Sequence, residues 1–193
     1  VVGNMINKLF YNSKLENGKN TYAKNPDVFS KSLNLLNMDG VKNYKERTGP
    51  NNSQYNLVEV KLVYHLIEKI SKKVNKEKSI AVITPYSRQK IEIEKFIKKN
   101  DQSIKLLNIK VDTVDSFQGE EADIVLFCTT RSQKPTMFFS DNARINVALS
   151  RTENELLIIG SRKYFKSFGK GSNLYKIDQF INKNGNIIKL EKE

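Results

Sequence analysis

The chain has 193 residues, of which 38% are hydrophobic, and this supports one well-packed domain rather than two. Its 33 basic and 21 acidic residues give a net charge of +12, which favours a polyanionic partner, either nucleic acid or an acidic membrane surface, although a lysine-rich composition alone produces the same surplus. The single cysteine, Cys128, excludes an internal disulfide and a cysteine-based metal cluster, and no apolar run reaches the roughly 18 residues of a membrane span. Because Val1 is not an initiator methionine and no signal peptide is evident, we expect a fragment of a longer cytoplasmic or nuclear polypeptide.

The first part of the chain is predicted to contain two helices separated by a loop-rich segment. Helical spacing of apolar residues covers residues 1–15, whereas residues 19–55 are rich in Asn, Lys, Gly and Pro and show one candidate strand at 32–38. In residues 56–74 the apolar positions recur with the period of an amphipathic helix, whose charged face includes Glu59.

Strands and helices alternate through the rest of the chain. The pattern predicts strands at residues 79–84, 104–114, 124–130 and 155–160, helices at 87–99, 142–152 and 174–182, a short helix after 160, and a frayed strand at 187–188. In the helix at 87–99, Ile91, Phe96 and Ile97 are predicted to face inward. Such alternation is typical of βαβ units, so we expect an α/β fold with one parallel sheet between two helical layers, forming a single domain over residues 1–193.

Polar residues and one glycine connect the strands at 104–114 and 124–130. They are Asp115, Gln118, Gly119 and Glu121. Ligands of open α/β sheets bind at strand ends. A glycine there lets the backbone approach a ligand, and a carboxylate accepts hydrogen bonds from sugar hydroxyls or metal-bound water. The alternative is that Asp115 and Gln118 only satisfy backbone groups of a turn.

Two arginines lie seven residues apart in the helix predicted at 142–152. Arg144 and Arg151 are separated by two turns and therefore share a face, with the small Ala148 between them. A guanidinium suits bidentate contact with phosphate, and this lysine-rich chain uses only six arginines. The alternative is a solvated face, with Arg151 placed to interact with the helix dipole.

A third polar group follows the strand at 79–84. The stretch Thr84, Pro85, Tyr86, Ser87 and Gln89 leads from a buried strand into a helix N-terminus and could donate hydrogen bonds to a nucleic-acid backbone. A capped helix start, with Ser87 as the N-cap, explains the same residues nearly as well.

Together these three stretches resemble the C-terminal RecA-like domain of superfamily 1B helicases of the nonsense-mediated-decay and senataxin type. The matching strings are ITPYSRQ (83–89), TVDSFQGEEADIVLF (113–127) and RINVALSRT (144–152), with looser matches at FYNSKL (10–15) and NSQYNLVE (52–59). The resemblance covers almost the whole chain, is strongest in residues 79–160, and implies a RecA-like three-layer α/β/α fold of the P-loop NTPase type.

The resemblance implies a role for each residue of the second and third strings. Arg151 would reach the γ-phosphate of ATP as an arginine finger, a residue typically worth about 10³–10⁵ in rate. Arg144 would contact the nucleotide or support the adjoining interface. Gly119 and Glu121 would touch the nucleotide, Glu121 through ribose or metal-bound water.

The resemblance also implies a nucleic-acid contact. Thr84, Pro85, Tyr86, Gln89 and Thr113 would contact the backbone of single-stranded RNA or DNA, along which the motor would move 5′ to 3′.

No G-x-x-x-x-G-K-[ST] phosphate loop and no acidic pair for magnesium occur in the chain, and residues 169–172 (GKGS) match such a loop only superficially. In the family those elements belong to a first RecA-like domain, so the resemblance implies that ATP and Mg²⁺ are shared with that domain of the same polypeptide. We therefore predict no metal site within this chain, no membrane partner, a monomer, and no useful ATP hydrolysis by the chain alone.

Two other functions fit the sequence. The first is a non-catalytic nucleic-acid-binding scaffold that keeps the helicase fold but not the motor. The second is an α/β nucleotide-binding enzyme unrelated to helicases, which would bind a nucleotide tightly by itself.

Overall fold

The structure is a computed structural model that describes residues 1–14, 25–100, 104, 106–117 and 119–190. The strands are β1 (Leu33–Asn37), β2 (Arg47–Thr48), β3 (Gln54–Tyr55), β4 (Lys78–Thr84), β5 (Leu107–Thr113), β6 (Ala122–Cys128), β7 (Thr152–Gly160) and β8 (Asn186–Lys189). The helices are α1 (Val2–Phe10), α2 (Leu57–Ser71), α3 (Ser87–Asn100), α4 (Met137–Ser140), α5 (Asn142–Ser150), α6 (Arg162–Ser167) and α7 (Asn173–Asn184). No helix of the described residues is long and apolar enough to cross a bilayer.

Six strands form one parallel sheet in the order β5-β4-β6-β7-β1-β8, and β2 pairs with β3 in a small antiparallel hairpin. The central strands are continuous apolar runs, such as Ile124–Cys128, because helices cover both faces of the sheet. The apolar side chains of α2 and α3 pack on one face and those of α1, α5, α6 and α7 on the other. The predicted three-layer α/β/α fold of RecA-like type is confirmed.

Several local predictions needed correction. In α3, Phe96 and Ile97 are partly buried and pack against the core as predicted, whereas Ile91 is 39% exposed and Ile93 is fully buried instead. Glu59, predicted on a charged surface, is fully buried. The frayed strand predicted at 187–188 is β8, the parallel edge strand beside β1. The loop-rich segment contributes β1 to the sheet interior and the β2–β3 hairpin, while its residues 19–24 lie outside the described part of the chain.

All six strands of the main sheet run in one direction, so the sheet has a carboxyl edge and an amino edge. The polar connection between β5 and β6 was predicted to form one site at a single strand end, but it runs from one edge to the other. Residues 114–121, here called the crossover segment, leave β5 at the carboxyl edge and enter β6 at the amino edge. Midway along it, Phe117 is 2% exposed and packs into the core below α5. The crossover segment therefore separates Asp115, near one edge, from Gly119 and Glu121, near the other.

Candidate functional site

Arg151 lies at the amino edge beside the end of the crossover segment. It is the residue between α5 and β7, and its carbonyl oxygen accepts a hydrogen bond of 3.0 Å from the backbone N–H of Ala122. Ala122 is also the register partner of Thr152 across β6 and β7. Glu121 immediately precedes β6, and Arg151 immediately precedes β7. Because these two strands pair at their starts, both residues lie at the amino edge.

The guanidinium of Arg151 has an unsatisfied donor. The side chain is half-buried, and its Nε is buried without a hydrogen-bond partner among the described residues. A buried donor left unpaired costs about 1–3 kcal/mol. The Nε atoms of Arg88 and Arg131 are also buried without a hydrogen-bond partner in the part of the chain that the structure describes.

Gly119 and Glu121 are both exposed at this edge. Gly119 has φ +78°, a conformation that favours glycine, and the space where a Cβ would lie is open. Glu121 has no hydrogen-bond or ion-pair partner within the described part of the chain, whereas its neighbour Glu120 pairs with Lys110 at 2.5 Å. Gln118, also predicted in this group, lies outside the described residues. No cluster of three or more potential metal ligands was found in the described residues.

Arg144 does not join this group. It lies at the N-terminal end of α5, about 10 Å along the helix axis from Arg151, given a rise of about 1.5 Å per residue. Its Nε is 3.3 Å from Asp115 and 3.7 Å from Asp141, and its guanidinium lies over the ring of Phe138 at 5.6 Å. Arg144 therefore ties α5 to the first half of the crossover segment.

At the carboxyl edge, Thr113 and Thr84 end the adjacent strands β5 and β4 in direct register. The backbone N–H of Val114 donates to the carbonyl oxygen of Thr84 at 3.1 Å, which fixes the start of the crossover segment. The hydroxyl of Thr113 is half-exposed and lies 3.0 Å from that of Ser116. Thr113 is thus accessible to a ligand at this edge.

Two predicted nucleic-acid contacts are buried instead. Thr84 is 0% exposed, and its hydroxyl lies 2.9 Å from that of Thr130. Gln89 is also 0% exposed; its Oε1 accepts from the backbone N–H of Asn56 at 2.7 Å, and its Nε2 donates to Glu59 at 3.2 Å. Neither side chain is available to a strand at the surface, because both hold neighbouring elements in place.

Glu59 is the residue at the centre of this buried network. Both of its carboxylate oxygens accept from the backbone N–H of Thr130 at 2.9 Å, and Oε1 also accepts from the hydroxyl of Thr129. Thr130 has φ +61°, which is rare for a β-branched residue and stays occupied only when its surroundings enforce it. Burial raises the pKa of Glu59 well above its usual range, although the hydrogen bonds from Thr130 and Thr129 oppose this.

The sequence analysis missed this role of Glu59, but the sequence carries a signal for it. Glu59 lies four residues before Val63 and eight before Ile67, both fully buried, so it is in phase with the apolar stripe of α2. Asn56, three residues earlier, is the N-cap of α2 and accepts from two backbone N–H groups of its first turn.

Comparison with known proteins identifies the family of the chain. The profile of the AAA domain family matches residues 1–163. The chain is 34% identical to helicase sen1 of Schizosaccharomyces pombe over 86% of its length, 32% identical to probable helicase senataxin of Mus musculus over 72%, and 31% identical to ATP-dependent helicase NAM7 of Saccharomyces cerevisiae over 79%. The chain is a superfamily 1 helicase domain of the AAA domain family. It spans 10%, 5% and 17% of the length of these three relatives.

The helicase domain places its hairpin β2–β3 against the start of α3. The hydroxyl of Ser53 accepts from the backbone N–H of Arg88 at 3.1 Å, and the guanidinium of Arg88 lies over the ring of Tyr55 at 5.6 Å. Pro85 and Tyr86, which precede α3, are half-exposed, and burial raises the pKa of Tyr86. The family-like string at 52–59 therefore supports the neighbouring string at 83–89.

Proposed function

We propose that this domain is the second motor domain of an ATP-dependent helicase that moves 5′ to 3′ along single-stranded RNA or DNA as a monomer. The observation that carries the proposal is the path of the crossover segment. It begins beside Thr113 at the carboxyl edge and ends beside Arg151 at the amino edge. One continuous segment thus connects a candidate strand contact with a candidate nucleotide contact.

At the amino edge, Arg151 would act across a cleft on ATP held by a first RecA-like domain of the same polypeptide. Mg²⁺–ATP supplies the phosphoryl group, and Arg151 stabilises the charge that develops on it. The Nε of Arg151 supports this role, because it is buried and unpaired here and would gain an acceptor if the side chain extended to a phosphate oxygen. Gly119 offers its backbone N–H, and Glu121 offers a free carboxylate to ribose or to metal-bound water.

At the carboxyl edge, Thr113, Pro85 and Tyr86 would contact the backbone of the strand. Their side chains are half-exposed, whereas Thr84 and Gln89 lie beneath them and position them. Contacts of this type read no base sequence, so the domain would grip a strand of any sequence.

The crossover segment would couple the two edges. Its end is fixed to Arg151 through the Ala122 hydrogen bond, its middle by the buried Phe117, and its start to Thr84 through Val114. A displacement of Arg151 that follows nucleotide binding or hydrolysis therefore moves a segment attached at the carboxyl edge. The chain alone holds one side of this nucleotide site, so we expect it to bind nucleotide weakly and not to hydrolyse it at a useful rate.

The test is an Arg151→Ala variant of the full-length protein, assayed for strand-stimulated ATP hydrolysis. We expect a loss of about 10³–10⁵ in rate with strand binding retained, because the finger acts only on the reacting phosphate. Arg144→Ala is the matched control, with an expected change of less than about tenfold, since its guanidinium is engaged by Asp115. Normal turnover by Arg151→Ala would refute the proposal, and a full-length wild type without ATPase activity would favour the scaffold function.

A further inference from the structure

A groove of about 480 Å³ lies between α1 and α7, on the face of the sheet that also carries α5. Four exposed lysines line it: Lys8 from α1, Lys170 from the turn before α7, and Lys176 and Lys183 from α7. Lys176 and Lys183 are seven residues apart, two helical turns, so both point to the same side of α7. The groove is therefore a row of cations on two facing helices.

Among the described residues, these lysines have no neutralising partners. None of the four forms a salt bridge or a side-chain hydrogen bond there, and none of the described residues that line the groove carries a carboxylate. The acid on α7, Asp178, is fully buried and paired with Arg162, while α1 carries no acid. On the opposite face of the sheet, the two glutamates of α3 form ion pairs with basic residues of the same helix. Lysine-rich composition alone does not account for a face that omits its acids.

Aromatic rings lie between the charges. Tyr175 and Phe180 are both half-buried and line the groove, one on each side of Lys176 along α7. Cations that follow a backbone, combined with rings on which bases can stack, are the two features by which proteins hold single strands without reading sequence. An acidic peptide would use the lysines but has less need of the rings.

The groove is separate from the carboxyl-edge contact proposed above. Helix α7 packs on β1 and β8, and β1 lies three strand positions from β4, which is about 14 Å at the usual interstrand spacing of about 4.8 Å. Thr113 lies one strand further away, on β5. A polynucleotide would have to extend past the carboxyl edge to reach the lysines.

We propose that the α1–α7 groove is a second nucleic-acid contact, which binds the phosphodiester backbone of a strand beyond the part held at the carboxyl edge. Its four lysines neutralise phosphates, and Tyr175 and Phe180 stack with exposed bases. The groove lets the domain contact more nucleotides of a long strand. The affinity gained from these contacts depends strongly on salt, because it comes from lysine–phosphate interactions.

The test uses the full-length protein with Lys8→Gln, Lys176→Gln and Lys183→Gln combined. The control, with the same net charge, combines Lys61→Gln, Lys72→Gln and Lys98→Gln, three exposed lysines on α2, just after it, and on α3, away from the groove. Affinity for single strands of about 8 and about 30 nucleotides is measured by fluorescence anisotropy over a range of salt concentrations. We expect the groove variant to bind the long strand about 10- to 100-fold more weakly, with a salt slope lower by about 2, and the short strand normally.

Three results would overturn the proposal. An equal loss in the control variant would show that only net charge matters. Unchanged long-strand binding by the groove variant would show that the groove does not contact nucleic acid. Loss of affinity for a polyglutamate peptide, with nucleic-acid binding intact, would assign the groove to an acidic protein.

Two further measurements sharpen the test. Affinity for a duplex of the same length is compared with affinity for the single strand, and we expect the single strand to bind more tightly because its bases can stack on the rings. Loss of short-strand binding in a Thr113 variant tests the carboxyl edge independently of these outcomes.

Discussion

The buried network around Glu59 at the carboxyl edge and the pair Arg151 and Glu121 at the amino edge differ in how completely their polar groups are paired. At the carboxyl edge, Thr84, Gln89 and Glu59 are fully buried. Gln89 donates to Glu59, and Thr130 links the other two, through its hydroxyl to Thr84 and through its backbone N–H to Glu59. At the amino edge, Glu121 is exposed without a partner among the described residues and Arg151 keeps an unpaired buried donor. The network around Glu59 is therefore paired within this chain, whereas Arg151 and Glu121 are not; beside the carboxyl edge, the buried Nε atoms of Arg88 and Arg131 also lack a hydrogen-bond partner in the described part of the chain.

This difference corresponds to two kinds of work. A surface that grips a strand must hold its residues in a fixed register, and a buried, fully satisfied polar network supplies that rigidity. A nucleotide site shared between domains must leave its charges free until the other domain brings the phosphate. Unpaired groups at the amino edge are therefore expected if the second wall of the site belongs to another domain.

The largest change in stability is predicted for Glu59→Ala. This substitution removes the acceptor of the Thr130 N–H and of the Gln89 side chain, and it releases a β-branched residue held at positive φ. We expect the free energy of unfolding to fall by about 3 kcal/mol, because several buried donors lose their partner together. Urea denaturation followed by far-UV circular dichroism measures it.

Glu121→Ala is the matched substitution at the amino edge. Its carboxylate is exposed and unpaired, so we expect a change within about 0.5 kcal/mol. Equal effects of the two substitutions would show that the edges do not differ in the way the hydrogen bonds indicate.

The pH dependence of stability tests the burial of Glu59 directly. Burial raises its pKa in the folded state above the value of about 4.3 in the unfolded chain. The folded state therefore binds the proton more tightly, and the contribution of Glu59 is fully present below about pH 4 and lost as the pH rises through the raised pKa. The nearby Glu46 acts in the same direction.

We expect the stability difference between wild type and Glu59→Gln to fall with rising pH, by up to about 1.4 kcal/mol for each pH unit in that window. Because Gln does not titrate, the difference isolates Glu59 from Asp27, Asp112 and Asp123, whose pKa values are lowered by lysine and backbone partners. A difference that rises with pH, or stays flat, would contradict the assignment.

The strands of the sheet were predictable because each buried strand is a continuous apolar run. Residues 79–84 and 155–160 needed only this pattern, and β4 and β7 begin within three residues of the predicted starts. Even β8 was visible as a pair of isoleucines. Local sequence reports burial well, because burial on both faces leaves few polar positions.

The division of the crossover segment between the two edges was not predictable in the same way. Asp115, Gly119 and Glu121 lie within seven residues of sequence, which suggested one site at one strand end. Their separation follows from the parallel direction of β5 and β6, because a connection between parallel strands starts at one edge of the sheet and ends at the other. The predicted parallel sheet already implied such a return, but the sequence did not show that Phe117 would be buried midway and divide the polar residues between the two edges.

A smaller effect is predicted at the carboxyl edge, where Thr113 and Thr84 are expected to respond differently to the same substitution. Thr113→Val removes a half-exposed hydroxyl, so we expect single-strand affinity to fall about fivefold, the worth of one hydrogen bond, at unchanged stability. Thr84→Val removes the buried partner of the Thr130 hydroxyl, so we expect a loss of about 1 kcal/mol of stability. The folded fraction of this variant should bind a single strand with nearly normal affinity. The reverse pattern would restore Thr84 as the direct strand contact.

The smallest effect is predicted for Arg144, which joins α5 to the crossover segment between the two edges. Its ion pair with Asp115 is half-exposed on both sides, 47% for the arginine and 62% for the aspartate, so water screens most of the attraction. A double-mutant cycle of Arg144→Ala and Asp115→Ala should give a coupling energy of about 0.2–0.5 kcal/mol in urea denaturation, decreasing as salt is added. A coupling above about 2 kcal/mol would mean that this pair, rather than Phe117 and the backbone bonds at either end, holds the crossover segment against α5.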